Sequence, residues 1–192
     1  MADRDYAVLG RKYVLTIPRL HHRLGEFKKA WGEYFAEPII GVDFTTANVT
    51  SLASDLGLKP YGMGKYLPLL AIYLSHRRVW EKIAEDAEEV CTIFEDDARP
   101  TGEPWVRSGV GLVRWQWHEP QWVGSACYTL SHTDAASLLR DRAARSPDWH
   151  MHLLGFRSTS TSKPVIVNAQ PSYPVETSRY PHLWVDGVVA VK

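Results

Sequence analysis

The chain has 192 residues, 45% of them hydrophobic, which suits one globular domain spanning residues 1–192 and argues against a second full domain. Lys plus Arg and Asp plus Glu balance at 22 each, which disfavours a protein that coats a nucleic-acid backbone or an anionic membrane. No stretch approaches the roughly 18 consecutive apolar residues of a membrane span. The opening Met1-Ala2-Asp3-Arg4-Asp5 lacks an apolar leader segment, so a soluble, cytoplasmic protein is expected.

Tyr13-Val14-Leu15-Thr16-Ile17 is rich in β-branched residues and stops at Pro18, the pattern of a strand whose ladder cannot continue. From Leu20 the apolar positions fall at Leu24, Phe27, Ala30, Trp31, Tyr34 and Phe35, which predicts an amphipathic helix with Lys28, Lys29 and Glu33 in water. Ile39-Ile40-Gly41-Val42 then reads as a second strand ending at Asp43, so a parallel β-α-β unit opens the chain. Residues 45–64 are rich in Thr, Ser, Asn and Gly and read as a long loop with a short turn near Leu52 to Leu56.

A helix is predicted from Gly64 to about Glu88, with Leu70, Tyr73, His76, Trp80, Ile83 and Ala87 on one face and Arg77 with Glu81 as an i, i+4 pair. Pro68 is tolerable only in its first turn. The helix feeds a strand, Val90-Cys91-Thr92-Ile93-Phe94, and Arg99 to Pro104 forms a turn-rich break after it. Val110 to Trp117 and Ser125 to Leu130 read as further strands. Ser131 and Asp134 have capping-box spacing ahead of an amphipathic run from Ala135 to Arg145. Val165-Ile166-Val167 is the last strand expected, and Pro171, Pro174 and Pro181 leave the remainder irregular. Cys91 and Cys127 lie in apolar surroundings and read as core thiols, not as a disulfide or a metal knuckle. Most of the aromatic residues read as core filling, with a stacking surface for sugars or bases as the alternative.

The strand before Glu95-Asp96-Asp97 ends in consecutive carboxylates, which repel one another and gain little from burial. A divalent cation, Mn²⁺ or Mg²⁺, would neutralise them through hard oxygen ligands, whereas a solvated turn would leave them in water. In an open α/β sheet, ligands bind beyond the carboxyl ends of the strands, where Asp43 would share a rim with these acids. A diphosphate leaving group suits such a site, because a metal offsets the charge that develops on it.

The segment from Leu74-Ser75-His76-Arg77-Arg78-Val79-Trp80 to Ile93-Phe94-Glu95-Asp96-Asp97-Ala98 resembles glycosyltransferase family 25, the lipopolysaccharide-type and collagen-type galactosyl- and glucosyltransferases. Ile17-Pro18-Arg19 with Arg23, then Asp43, and later Tyr128-Thr129-Leu130-Ser131 with Ala135 to Leu139 extend the resemblance across most of residues 13–150. It implies an α/β, GT-A-like nucleotide-sugar-binding fold, with a mostly parallel central sheet and helices on both faces. It further implies a metal-dependent, inverting transfer of galactose or glucose from a nucleoside diphosphate sugar, a UDP-sugar first, to a hydroxyl acceptor that is a saccharide or glycolipid.

Carried over residue by residue, Glu95 and Asp97 would hold the metal, Arg19, Arg23, Asp43, Ser75, His76 and Asp96 would bind the donor, and Asp96 would serve either the metal or the ribose or sugar hydroxyls. Asp148, in Ser146-Pro147-Asp148-Trp149, would be the base that deprotonates the acceptor. His150 and His182 are reserve metal ligands. The structural alternatives are a core histidine at His76, a turn residue at Asp43, ordinary exposed arginines at Arg19 and Arg23, and an N-cap at Asp148. Other functional readings are sugar transfer to a nucleic-acid base or protein hydroxyl, a module that binds nucleotide sugars without turnover, and a phosphohydrolase or nuclease. Arg107, Arg114, Arg140, Arg142 and Arg145 could form the basic patch that the nucleic-acid reading needs.

Overall fold

A computed structural model describes residues 10–33, 35–60, 67–85, 90–101, 113–114, 125–153 and 166–168. Strand β1 (Arg11–Thr16) is followed by a 3-10 turn (Pro18–Leu20), helix α1 (His21–Trp31) and strand β2 (Glu37–Ile40). After them come α2 (Val49–Asp55), β3 (Lys59–Pro60), α3 (Leu67–Glu85), β4 (Cys91–Glu95), β5 (Ala98–Pro100), β6 (Val113–Arg114) and β7 (Cys127–Leu130). The described residues close with α4 (His132–Arg140), β8 (Ala143–Ala144), α5 (Pro147–Leu153) and β9 (Ile166–Asn168).

The central sheet has strand order β2-β1-β4-β7-β6. β1 pairs in parallel with both β2 and β4, while β7 runs antiparallel to β4 and to β6. All strands of this sheet but β7 therefore share one direction, and the protein is a mixed α/β fold with a mostly parallel central sheet. The opening unit β1-α1-β2 is the parallel crossover expected from the periodicities. β2 lies at the sheet edge, where Pro38, which cannot donate to a ladder, is tolerated.

Side-chain alternation divides the sheet into two packed faces. Tyr13, Leu15, Cys91, Ile93, Tyr128 and Leu130 join α3 and α4 in the larger core, which includes Tyr73, Trp80 and Leu138. Val14, Phe94 and Cys127 pack with Phe27 and Trp31 of α1 on the other face. Phe27, Trp31, Phe35 and Phe94 meet ring against ring there, with Trp31 and Phe35 stacked at 4.8 Å. The two cysteines are free and buried, one in each core, which rules out a bridge between them.

Several boundaries differ from expectation. The presumed loop after Asp43 contains α2, capped by the Asn48 side chain accepting from the Ser51 amide at 3.0 Å. Arg99 and Pro100, expected to open a turn-rich break, belong to β5, which pairs antiparallel with β9. The capping box at Ser131 and Asp134 is present, but α4 stops at Arg140 and not at Arg145. Asp141 adopts extended backbone, accepts the Ala143 amide at 2.9 Å and an Arg145 N–H at 2.6 Å, and so diverts the chain into β8. Arg77 and Glu81 form the expected i, i+4 pair at 3.2 Å. Among the described residues no helix is long and apolar enough to cross a membrane. The helix start at Gly64, its end near Glu88, most of the strand placed at Val110 to Trp117 and the irregular tail lie outside the described residues.

Candidate functional site at the carboxyl edge of the sheet

Leu15 pairs with Glu95 and Thr16 with Ile40, so the carboxyl ends of β1, β2 and β4 stand level. The acids begin at this edge, and the alternation of β4 decides where each one points. Ile93 faces α3 and Phe94 faces α1, and Glu95 and Asp96 continue that alternation. The three carboxylates consequently do not form one cluster.

Glu95 turns to the α3 side, where its Oε1 lies 3.3 Å from His76 Nε2 and accepts from the Ser125 hydroxyl at 2.8 Å. Asp96 turns to the α1 side; its Oδ2 accepts from the Thr16 hydroxyl at 2.9 Å and its Oδ1 lies 3.1 Å from Arg23 Nε. Asp97 follows, and its Oδ2 pairs with Nη2 of the same Arg23. Arg99 donates to the carbonyls of Asp96 and Ala98 at 3.0 and 2.9 Å, which fixes the backbone of the acid turn.

The electrostatics differ accordingly. Burial pushes the Asp96 carboxyl above its ordinary range, and Arg23 and Thr16 only partly offset this. Burial acts in the same direction on Glu95, but the hydrogen bonds from His76 and the Ser125 hydroxyl outweigh it and hold that carboxyl below its usual range.

His76 is a core residue that also reaches the acids of the candidate site. It is 1% exposed, and its Nδ1 lies 2.7 Å from the Tyr128 hydroxyl, which also accepts from Trp80 Nε1 at 2.8 Å. In the tautomer that donates Nε2–H to Glu95, Nδ1 accepts from the phenol, and every member of the chain from Trp80 to Glu95 is satisfied. His76 and Tyr128 also stack at 5.6 Å between ring centroids. Tyr128, Thr16, Ser125 and Arg99 are contacts that sequence reasoning did not assign. Thr16 ends β1 with an aliphatic hydroxyl, a signal that could have been read, whereas Ser125 had no signal of its own.

Asp43 accepts from Arg19 Nε at 3.0 Å and from the Thr45 amide and hydroxyl at 2.9 and 2.7 Å. Burial opposes its ionisation, yet these bonds hold its carboxyl below the ordinary range. The Asp43-to-Thr45 contact closes an Asx turn, so the turn role and the Arg19 pairing coexist. Arg19 remains half exposed and lies over the Phe44 ring at 5.6 Å.

Ser75 has a different task from the one expected. Its hydroxyl donates to the Ala71 carbonyl at 2.7 Å and accepts from the Val42 amide at 2.8 Å, so it clips the chain after β2 to α3. Gly41 makes room for this clip: a Cβ there would stand 2.7 Å from Ser75 Oγ.

Asp148 lies half-buried in the first turn of α5, inside the helix and not ahead of it. His150 is 0% exposed, stacks on Trp80 at 5.5 Å and lies 3.0 Å from the Leu138 carbonyl through Nε2. Its ring is built into the core, which argues against the reserve metal role. His182, Arg107 and the Arg114 side chain lie outside the described residues.

Among the described residues, no three of His, Cys, Asp and Glu converge as a metal cage. The acid pair Asp96 and Asp97 nevertheless fits a Mg²⁺ or Mn²⁺ ion of the kind held by one or two carboxylates, waters and phosphate oxygens. Its observed geometry supports that fit, since both carboxylates already converge on a single cationic group, the Arg23 guanidinium. It is Asp96 and Asp97 that share Arg23, whereas the sequence expectation grouped Glu95 with Asp97.

No family profile matches the chain, and no curated protein matches it. Among solved structures, the fold is similar to a mutant of Drosophila β-1,4-galactosyltransferase 7 in complex with manganese, UDP-Gal and xylobiose. That likeness has 12% identity and a TM-score of 0.44, and it covers 85% of this chain and 72% of the other.

Proposed function

We propose that the protein is a GT-A-like, metal-dependent hexosyltransferase that moves a sugar from a nucleoside diphosphate sugar to a hydroxyl acceptor, as the resemblance to glycosyltransferase family 25 implies. The observation that carries the reading is the Asp96, Asp97 and Arg23 group at the carboxyl edge of parallel strands. It offers carboxylate oxygens for a cation and a guanidinium fork for a phosphate at one place.

In this reading Asp96 and Asp97 hold Mn²⁺ or Mg²⁺, which when bound supplies charge compensation for the departing diphosphate. Arg23 and the half-exposed Arg19 orient phosphate and ribose oxygens. Glu95 remains ionised under the His76 and Ser125 donors and fixes the negative field at the rear of the site. By the same family resemblance Asp148 would remove the proton of the acceptor hydroxyl as that oxygen attacks the anomeric carbon from the side opposite the diphosphate, giving inversion. A saccharide or glycolipid supplies that hydroxyl.

A thermal-shift screen of UDP-galactose, UDP-glucose and other nucleoside diphosphate sugars, each with and without Mn²⁺, tests the reading. The expected result is a rise in unfolding temperature that needs both components together. A flat response across the donors would overturn it.

A further inference from the structure

We propose that Arg23 is an exchangeable counter-ion: in the free protein it fills the cation position between Asp96 and Asp97, and it passes to the diphosphate when a divalent ion takes the carboxylates. The inference rests on the donor-site reading and adds to it a coupling between metal and diphosphate.

The guanidinium spans the pair, with Nε 3.1 Å from Asp96 Oδ1 and Nη2 on Asp97 Oδ2. Both acid side chains are nearly closed to solvent, at 7% and 2% exposure, while Arg23 keeps 22%. A ligand arriving from water therefore meets the guanidinium first. Arg23 belongs to the first turn of α1 and not to the acid turn, so its long side chain can swing by rotamer changes while both backbones stay in place.

The acid turn keeps its shape without that contact. Thr16 still donates to Asp96 Oδ2, and Arg99 still holds the carbonyls of Asp96 and Ala98. Trp31 also donates to the Ala98 carbonyl at 3.0 Å, which ties the end of α1 to β5 independently of Arg23.

A divalent ion and a guanidinium compete for the same carboxylate oxygens, since each needs them as its counter-charge and close approach of the two cations is repulsive. Without another anion, the displaced Arg23 loses two charge-assisted contacts, and this lowers metal affinity. A diphosphate offers the fork an equivalent set of oxygens, so that loss is recovered. By linkage, metal and diphosphate each tighten the binding of the other.

The test is Mn²⁺ binding to the full chain without nucleotide, by calorimetry, for the wild type, Arg23→Gln and the double variant Arg23→Gln with Asp97→Asn. Arg23→Gln should bind Mn²⁺ about tenfold more tightly than the wild type, within the usual span of a coupling energy, and the double variant should lose the gain. Equal or weaker Mn²⁺ binding by Arg23→Gln would overturn the proposal. If that variant does not fold, Arg23→Met, which keeps a long side chain but removes the charge, should still bind Mn²⁺ more tightly than the wild type; no gain there overturns it too.

The two readings fail separately. A Mn²⁺ gain in Arg23→Gln without any response of the wild type to UDP-sugars keeps the counter-ion assignment and removes the nucleotide-sugar reading. A UDP-sugar response with Mn²⁺ binding unchanged by Arg23→Gln does the reverse.

Discussion

Glu95 and Asp96 are adjacent in the chain, yet their carboxylates serve opposite faces of the sheet: Glu95 meets His76 of α3, and Asp96 meets Arg23 of α1. The split follows from strand alternation continued past the end of β4. It relieves the repulsion that consecutive acids would otherwise suffer by giving each its own partner.

Opposite pKa shifts at these neighbours predict opposite pH dependences. Glu95 is held below its ordinary value of 4.5, so its contribution to stability is present above that value and is lost as pH falls through the lower folded pKa. Asp96 is pushed above its ordinary 3.8, so its ionisation removes stability as pH rises from 3.8 through the raised folded pKa. Denaturant unfolding across acidic pH should show Asp96→Asn gaining on the wild type as pH rises through that window. Glu95→Gln should approach the wild type as pH falls below the Glu95 window. Parallel wild-type and variant curves would contradict the assignments.

Tyr128→Phe removes the phenol that accepts from Trp80 and contacts His76, leaving a buried indole N–H without its acceptor. The expected cost is about 1–3 kcal/mol in denaturant unfolding. A double-mutant cycle of Tyr128→Phe with Glu95→Gln should give a non-zero coupling, because His76 links the two. Strict additivity would show that the chain from Trp80 to Glu95 does not act as a unit.

Gly41→Ala should destabilise the fold by about 1–3 kcal/mol, the usual range for overpacking, because the new methyl meets Ser75. The same measurement on Ser75→Ala should also show a loss, since the Val42 amide is then left without its acceptor. Wild-type stability in both variants would refute the clip between α3 and the end of β2.

The elements were largely legible from periodicity: the β1-α1-β2 crossover, the buried face of α3 and the capping box of α4 all follow from local pattern. The end of α4 was not, because Asp141 competes for its own backbone through a side-chain bond that apolar spacing does not register. The acids were visible as a run, and Arg19, Arg23, Asp43 and His76 all stand at or beside the same sheet edge. Their grouping was hidden, although the alternation of Ile93, Phe94, Glu95 and Asp96 held the clue. The structural role of Ser75 was not legible, because its partners, Val42 and Ala71, are backbone atoms that a list of side chains does not show.

Asp148→Asn separates chemistry from binding. It should leave the affinity for UDP-sugar and Mn²⁺ unchanged while slowing transfer by about a hundredfold or more, the range of a lost general base. Transfer at the wild-type rate would place the base elsewhere.

The central claim is that Asp97 and its neighbours bind a nucleotide sugar through a divalent ion. Calorimetric titration of UDP-galactose into the wild type and Asp97→Ala, each with Mn²⁺ and with EDTA, tests it most directly. Binding by the wild type with Mn²⁺ alone, and by Asp97→Ala under neither condition, is the predicted result. Equal affinity of Asp97→Ala and the wild type in the presence of Mn²⁺ would contradict it.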